Sequence, residues 1–372
     1  MEAARPGLSR RVFLRAILAP SALLLAAACA PPAPPAATLA APNAAQPTAA
    51  PPTPAAALPK PTAAPVVVAA APANKVVISF SDRTVSDLAM FLAKEQGLFD
   101  KQGIDADLQF IASNTGIPAI MSDQTQFALI GGPETLGAVV GGADLVAIVQ
   151  LSGAQPYLME ANKDIQTIDD LRGKKVGVST LGSSSDTATR ISLRAKGLDP
   201  DKDVTIVAVG SLENRMSALL NGAIDAGLGS PPETLKLEDG GLHPLFDLSQ
   251  IDMPPLAQCL IVKRATINTQ RDLVQRVVNA MVQGTALQKK DRPVALQTLS
   301  KWANLTEQRE LDLAYDYWTG RILRVPPTLK PAEWQGFVDE LANRNEKAKG
   351  FDPATMIDTS FVEAAAAKGL AA

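Results

Sequence analysis

The chain has 372 residues, 47% apolar and 20% charged, enough for two to three domains with a real core. Aromatic residues make up 4%, histidine occurs once and cysteine twice, so a haem pocket, a zinc cluster, a disulfide scaffold and histidine-based catalysis are all poorly supplied. A net charge of −3 offers none of the basic field that a nucleic-acid partner requires.

Residues 1–28 begin with Arg5, Arg10, Arg11 and Arg15 against Glu2 and continue as an apolar run from Ala16 to Ala28. That run is shorter than the roughly 20 residues needed to span a bilayer, which favours a cleaved export signal over a membrane helix. Ser9-Arg10-Arg11-Val12-Phe13-Leu14 resembles the twin-arginine export motif, and Leu25-Ala26-Ala27-Ala28-Cys29 resembles a bacterial lipobox with Cys29 as the lipidated residue. The stretch 29–74 holds 13 prolines and one charge, Lys60. It cannot bury a core, so it reads as a disordered tether reaching at most roughly 140 Å if wholly extended. The remaining residues carry 30 cations and 37 acids, a mildly acidic domain expected outside the cytoplasm.

From Lys75, β-branched runs alternate with segments of helical period, the signature of an α/β fold with parallel sheets. Strands are predicted at 76–80, 106–111, 127–130, 145–151, 157–161, 175–179, 204–209 and 259–263. Leu88, Phe91 and Leu92 share a helical stripe closed by Gly97. Toward the C-terminus, Leu273, Val277, Ala280 and Met281, then Leu311, Ala314, Tyr315 and Trp318, repeat at helical spacing. Trp302, Trp318 and Trp334 read as packing residues, Cys259 as a buried strand residue, and His243 as part of a solvated turn.

Residues 119–142 align without a gap on residues 218–241, at an offset of 99, with eight of 24 positions identical. The matches include Pro133-Glu134-Thr135-Leu136 against Pro232-Glu233-Thr234-Leu235. Each copy reads as a helix end, a short strand, a small-residue turn and a Pro-initiated helix, so two lobes reuse one unit.

Glu95-Gln96-Gly97-Leu98-Phe99, Phe127-Ala128-Leu129-Ile130-Gly131, Ile168-Asp169-Asp170-Leu171-Arg172-Gly173-Lys174-Lys175-Val176-Gly177-Val178 and Ala218-Leu219-Leu220-Asn221-Gly222-Ala223-Ile224-Asp225-Ala226 stand in an order and spacing that resembles a known family. It is the extracytoplasmic substrate-binding proteins of ABC importers, of the nitrate, sulfonate, taurine or thiamine-precursor type. The resemblance implies a two-lobed periplasmic-binding-protein-like α/β fold of type II, each lobe a mostly parallel sheet flanked by helices. Transferred here, lobe I is 75–162 plus 258–372 and lobe II is 163–257, with a hinge between them.

In open α/β sheets, ligands sit beyond the carboxyl ends of the strands, where helix N-termini present free N–H groups. This selects Ser81, Asp82, Arg83 and Thr84 after the first strand, Asn114 after the second, and Gly131 and Gly132 after the third. In lobe II it selects Gly182, Ser183, Ser184 and Ser185, with Ser230 from the other repeat. Gly182 permits close backbone approach, and the helix start favours an anion by about 0.3 to 1 kcal/mol. The serines serve either a ligand or the helix cap. Arg83 meets either an anionic ligand or Asp82, and Glu134 and Glu233 read as first-turn acids that favour their helix dipoles.

With no nucleophile–base pair visible, the expected function is capture of a small polar or anionic organic molecule between the lobes. The resemblance implies delivery to an ABC permease by a lipid-anchored extracytoplasmic monomer, without metal, cofactor or nucleic acid. A sensor docking to a membrane receptor and a pyrimidine-precursor synthase remain as alternatives.

Overall fold

A computed structural model describes residues 74–255 and 258–372. The export signal, Cys29 and the tether lie outside these residues, except that the first strand already begins at Asn74.

The first sheet is built by β1 (Asn74–Phe80), β2 (Ile104–Phe110), β3 (Phe127–Gly131) and β4 (Leu145–Gln150). Between these strands run α1 (Leu88–Glu95), α2 (Leu98–Lys101), α3 (Ser113–Met121) and α4 (Gly132–Val140). The turn from α1 into α2 needs a left-handed residue, and Gly97 supplies it at φ 62°. The chain then crosses to a second sheet made of β5 (Leu158–Ala161), β6 (Lys175–Val178), β7 (Thr205–Ala208), β8 (Ala226–Gly229) and β9 (His243–Asp247). Its helices are α5 (Ser184–Ala195), α6 (Leu212–Leu220) and α7 (Glu233–Asp239). A second crossing returns β10 (Gln258–Lys263) to the first sheet. A helical tail follows: α8 (Arg264–Lys290), α9 (Arg292–Ala303), α10 (Gln308–Tyr317), α11 (Gln335–Ala342) and α12 (Ser360–Ala367).

The strand orders are β2-β1-β3-β10-β4 and β7-β6-β8-β5-β9. They have the same plan. Three parallel strands are followed by one antiparallel strand delivered from the other half of the chain, and then by an edge strand. The sequence repeat covers α3-β3-α4 in one sheet and α6-β8-α7 in the other, at matching places.

Because strands inside the sheet are covered on both faces, the central run of β3 is apolar throughout; Phe127, Ala128, Leu129 and Ile130 are all buried. Val76, Ile78 and Phe80 pack toward α1, α8 and α12, whereas Ala128, Ile130 and Ile261 pack toward α4 and α11. On α8, Val274, Val277, Val278 and Met281 are completely buried, each contributing about 1.5–3 kcal/mol of transfer free energy. Phe91 stacks on Trp302 with centroids 4.5 Å apart, and the Trp334 indole donates to Gln150 Oε1, so both tryptophans pack as expected. Cys259 is buried in β10, and burial pushes its thiol pKa up.

Two expectations are corrected. Leu158–Ala161 pairs with β8 and β9, so the chain has already crossed by Leu158 rather than after residue 162. His243 does not lie in a solvated turn; it is half-buried, opens β9 and pairs with Ala161, because two glycines end α7 and let the chain turn directly into an edge strand.

Candidate functional site

The carboxyl ends of β1, β3, β6 and β8 meet around a cavity of about 240 Å³ between the two sheets. Each wall is built by loops that leave a parallel strand and enter a helix.

On the first wall, Ser81 and Asp82 follow β1, and Thr84 caps a short helical turn by accepting from the Ser86 N–H at 3.3 Å. The Ser81 hydroxyl donates to the Asp82 carboxylate at 3.3 Å. Glu134 sits in the first turn of α4, two residues into the helix.

On the second wall, Ser183 caps α5 by accepting from the Asp186 N–H at 3.3 Å. Ser185 Oγ accepts from the Ser179 N–H at 2.9 Å, and the Gly182 N–H donates to Asp186 at 2.7 Å. The remaining features at this helix start are met from across the cavity. Ser184 donates its N–H to Glu134 Oε1 at 3.0 Å and its hydroxyl to Glu134 Oε2 at 2.7 Å. The helix end expected to hold an anionic ligand therefore already holds a carboxylate, supplied by the other sheet's α4. Glu134 serves the dipole of a helix fifty residues away.

Arg215, from α6, forms the floor. Its stem lies over Gly177 and Gly227, which face each other in β6 and β8; a Cβ at Gly227 would stand 3.2 Å from Arg215 Cγ and Cδ. The glycines thus open a channel that carries the guanidinium to the cleft. There Nε donates to the Leu228 carbonyl at 2.7 Å and Nη1 to Ser179 Oγ at 2.9 Å. Among the described residues, no carboxylate forms an ion pair with it.

The electrostatics follow from burial. Desolvation raises the Asp82, Glu134 and Glu233 carboxyls, Glu233 to about 7, and lowers the Arg215 guanidinium. Like-charge repulsion from Asp82 adds to the rise at both glutamates. Among the described residues, no other residue donates a hydrogen bond to the Glu233 carboxylate.

Of the residues singled out from sequence, Ser81, Asp82, Thr84, Asn114, Gly131, Ser183, Ser184, Ser185 and Ser230 line the cavity. Gly132, which is buried, and Gly182, which is exposed, do not line it. Arg83 turns outward to solvent, its guanidinium 5.2 Å from the Phe110 ring centroid, because the loop points Asp82 inward and the next residue outward. Sequence reasoning passed over Arg215, Tyr157, Gln258 and Trp318 as lining residues. The glycines at 177 and 227 were the available signal for Arg215, since neither strand needs a glycine for its own geometry.

Two sheets with doubly crossed connectivity around an interlobe cavity define a periplasmic-binding-protein fold. The family model described as NMT1/THI5 like matches residues 86–292, more than half of the chain, and the chain belongs to that family. A curated relative from Brucella abortus, whose name says no more than binding protein, is 30% identical over 136 residues, 36% of this chain and 41% of the relative. The chain thus matches less than half of that relative's length. The alkanesulfonate-binding protein SsuA from Xanthomonas axonopodis, bound to MOPS, superposes with a TM-score of 0.62 at 18% identity, covering 80% of this chain and 99% of that one. The desulfurization enzyme DSZB superposes with a TM-score of 0.60 at 16% identity, covering 79% and 99%. At these identities the structural likenesses establish the fold.

Proposed function

We propose that this chain is the solute-binding component of an ABC importer: it captures a small polar organic molecule between its lobes and releases it unaltered to a membrane permease. The observation that carries the reading is the enclosed cavity at the strand ends, walled by both lobes and bridged by the Glu134–Ser184 contact. In this reading residues 1–28 direct export, Cys29 carries the lipid, and 29–74 tether the domain to the outer face of the membrane. The charged and hydroxyl groups that line the cavity, Asp82, Ser183, Ser184, Arg215 and Ser230 among them, bind and orient the solute. Cys259 lies behind the lining with its thiol directed at the Ile130 carbonyl, and Ser183 and Ser184 are engaged at the start of α5, which supports recognition over covalent attack.

The test is a thermal-shift screen against polar metabolites, followed by mass spectrometry of the recovered compound. Ligand at a hundred times its Kd stabilises the folded chain by about 2.7 kcal/mol. Recovery of a chemically altered compound overturns the reading in favour of an enzyme.

A further inference from the structure

We infer that the solute taken by this cavity is a small organic cation, a protonated amine or an amidinium. The inference rests on the solute-binding reading and adds to it the charge of the ligand.

Three observations converge. First, the charged side chains lining the cavity are Asp82, Glu134 and Glu233 against Arg215 alone. Arg215 offsets one of the three carboxylates, leaving an excess of acid in the cavity. The other electropositive feature, the N-terminus of α5, is engaged by Glu134. An anion entering here would find the helix N-terminus taken and carboxylates on both walls, with the Arg215 guanidinium as the one cation left to meet it.

Second, Asp82 and Glu233 are under-used acceptors. Asp82 has a long bond from the Ser81 hydroxyl at 3.3 Å, and among the described residues no other residue donates to Glu233. A protonated nitrogen brings several N–H donors, and charge-assisted bonds of this kind are the strong ones. Among the described residues, no group of His, Cys, Asp or Glu is arranged to hold a metal ion, so an organic nitrogen suits these carboxylates better than a metal does.

Third, Tyr157 and Trp318 line the same space. Trp318 is 2% exposed, so its ring is held fixed as part of the wall. Aromatic rings beside carboxylates are the surroundings that recognise organic cations. The volume is below that of a usual drug-sized site, which limits the body of the ligand to a short chain or a single ring.

The experiment is a melting-temperature and calorimetric comparison over a library of cationic, neutral and anionic solutes. It includes matched pairs such as butylamine with butanesulfonate and benzamidine with benzenesulfonate. The expected result is that the compounds that bind carry a protonated nitrogen and their sulfonate counterparts do not bind. Hits confined to anions or neutral molecules overturn the inference while the solute-binding reading stands; no binding by any compound removes both. For a cationic hit, Glu233→Gln and Asp82→Asn are each expected to weaken affinity at least tenfold, with unliganded melting temperatures no lower than that of the parent. Affinity unchanged in both variants overturns the assignment.

Discussion

Glu160 offers a test of the electrostatic reasoning that is independent of any ligand. It lies on β5 with no exposed surface, its Cγ packed beside Gly229, and neither carboxylate oxygen has a hydrogen-bond partner. Burial first, and repulsion from Glu238 second, push its pKa up to about 8 from an ordinary value near 4.5. The folded state therefore holds this proton more tightly than the unfolded chain does. The contribution is fully favourable below about pH 4.5 and is lost as the pH rises toward 8. At about 1.36 kcal/mol per unit, the loss is about 1 kcal/mol at pH 5, about 3 at pH 7 and nearly 5 at pH 9. Glu160→Gln removes the titration, and the cost of burying its amide is the same at every pH. Urea unfolding of parent and variant at pH 5, 7 and 9 is expected to show a stability difference that moves in favour of the variant by about 4 kcal/mol across the range. Parallel pH profiles would refute the burial argument for this carboxylate, and with it the same argument for Glu233.

The contacts between the lobes are open to similar tests. Glu134→Ala removes both acceptors of Ser184, a loss of about 2 kcal/mol from the bridged arrangement, and small-angle scattering should report a larger radius of gyration than the parent gives. An unchanged radius would count against the bridge. Asp186 is wholly buried and receives Arg190 at 2.7 Å and Arg344 at 2.9 Å, the second from beyond α11. Asp186→Asn removes one ion pair each from Arg190 and Arg344, which keep Asp201 and Glu340, and is expected to cost about 3 kcal/mol in urea unfolding; a loss under 1 kcal/mol would contradict it. Gly227→Val drives a branched side chain into the Arg215 stem, costing about 1–3 kcal/mol and abolishing the binding of whatever solute stabilises the parent. Retained affinity would mean that the guanidinium is not held where the glycines leave room for it. Ser183→Ala, which removes the α5 cap, should lower stability by about 1 kcal/mol, and a neutral result would shift the role of Ser183 from the helix to the ligand.

The backbone plan was legible because it is written in local patterns. Apolar β-branched runs such as Val76-Val77-Ile78 and Leu145–Val149 could only be strands covered on both faces, and the punctuation at Gly97 and Pro133 marked the turns. The 99-residue offset announced the duplication, which the two strand orders repeat. β8 was legible only through the repeat, and β9 escaped, since His243-Pro244 on an edge strand looks like a turn. The lining of the cavity was legible where it belonged to loops after strands, as at Ser81–Thr84 and Ser183–Ser185. It was not legible where a partner arrives from far along the chain. Glu134 looks like the acid of its own helix until α5 is brought opposite, and Arg215 looks like one more polar residue of α6 until two glycines on neighbouring strands are seen to make room for it. Trp318 was read correctly as packing, yet it also lines the cavity, at the point where the helix widens into a π-turn after Tyr317.

The two crossings explain how such a cavity can be coupled to movement. Pro156 and Tyr157 stand immediately before β5, and Gln258 opens β10, so both segments that exchange sheets touch the cavity as they enter their new one. Residues at a crossing move least when two lobes swing apart, whereas Asp82 and Glu134 travel with the first sheet and Arg215 and Glu233 with the second. Under the proposed function, a solute resting on the crossing strands would keep its seat in either arrangement, and only its contacts with the two walls would change. Since a ligand shifts an equilibrium by no more than its difference in affinity for the two states, the proposal assigns to these wall residues, and not to the crossing residues, the control of how strongly the solute favours closure.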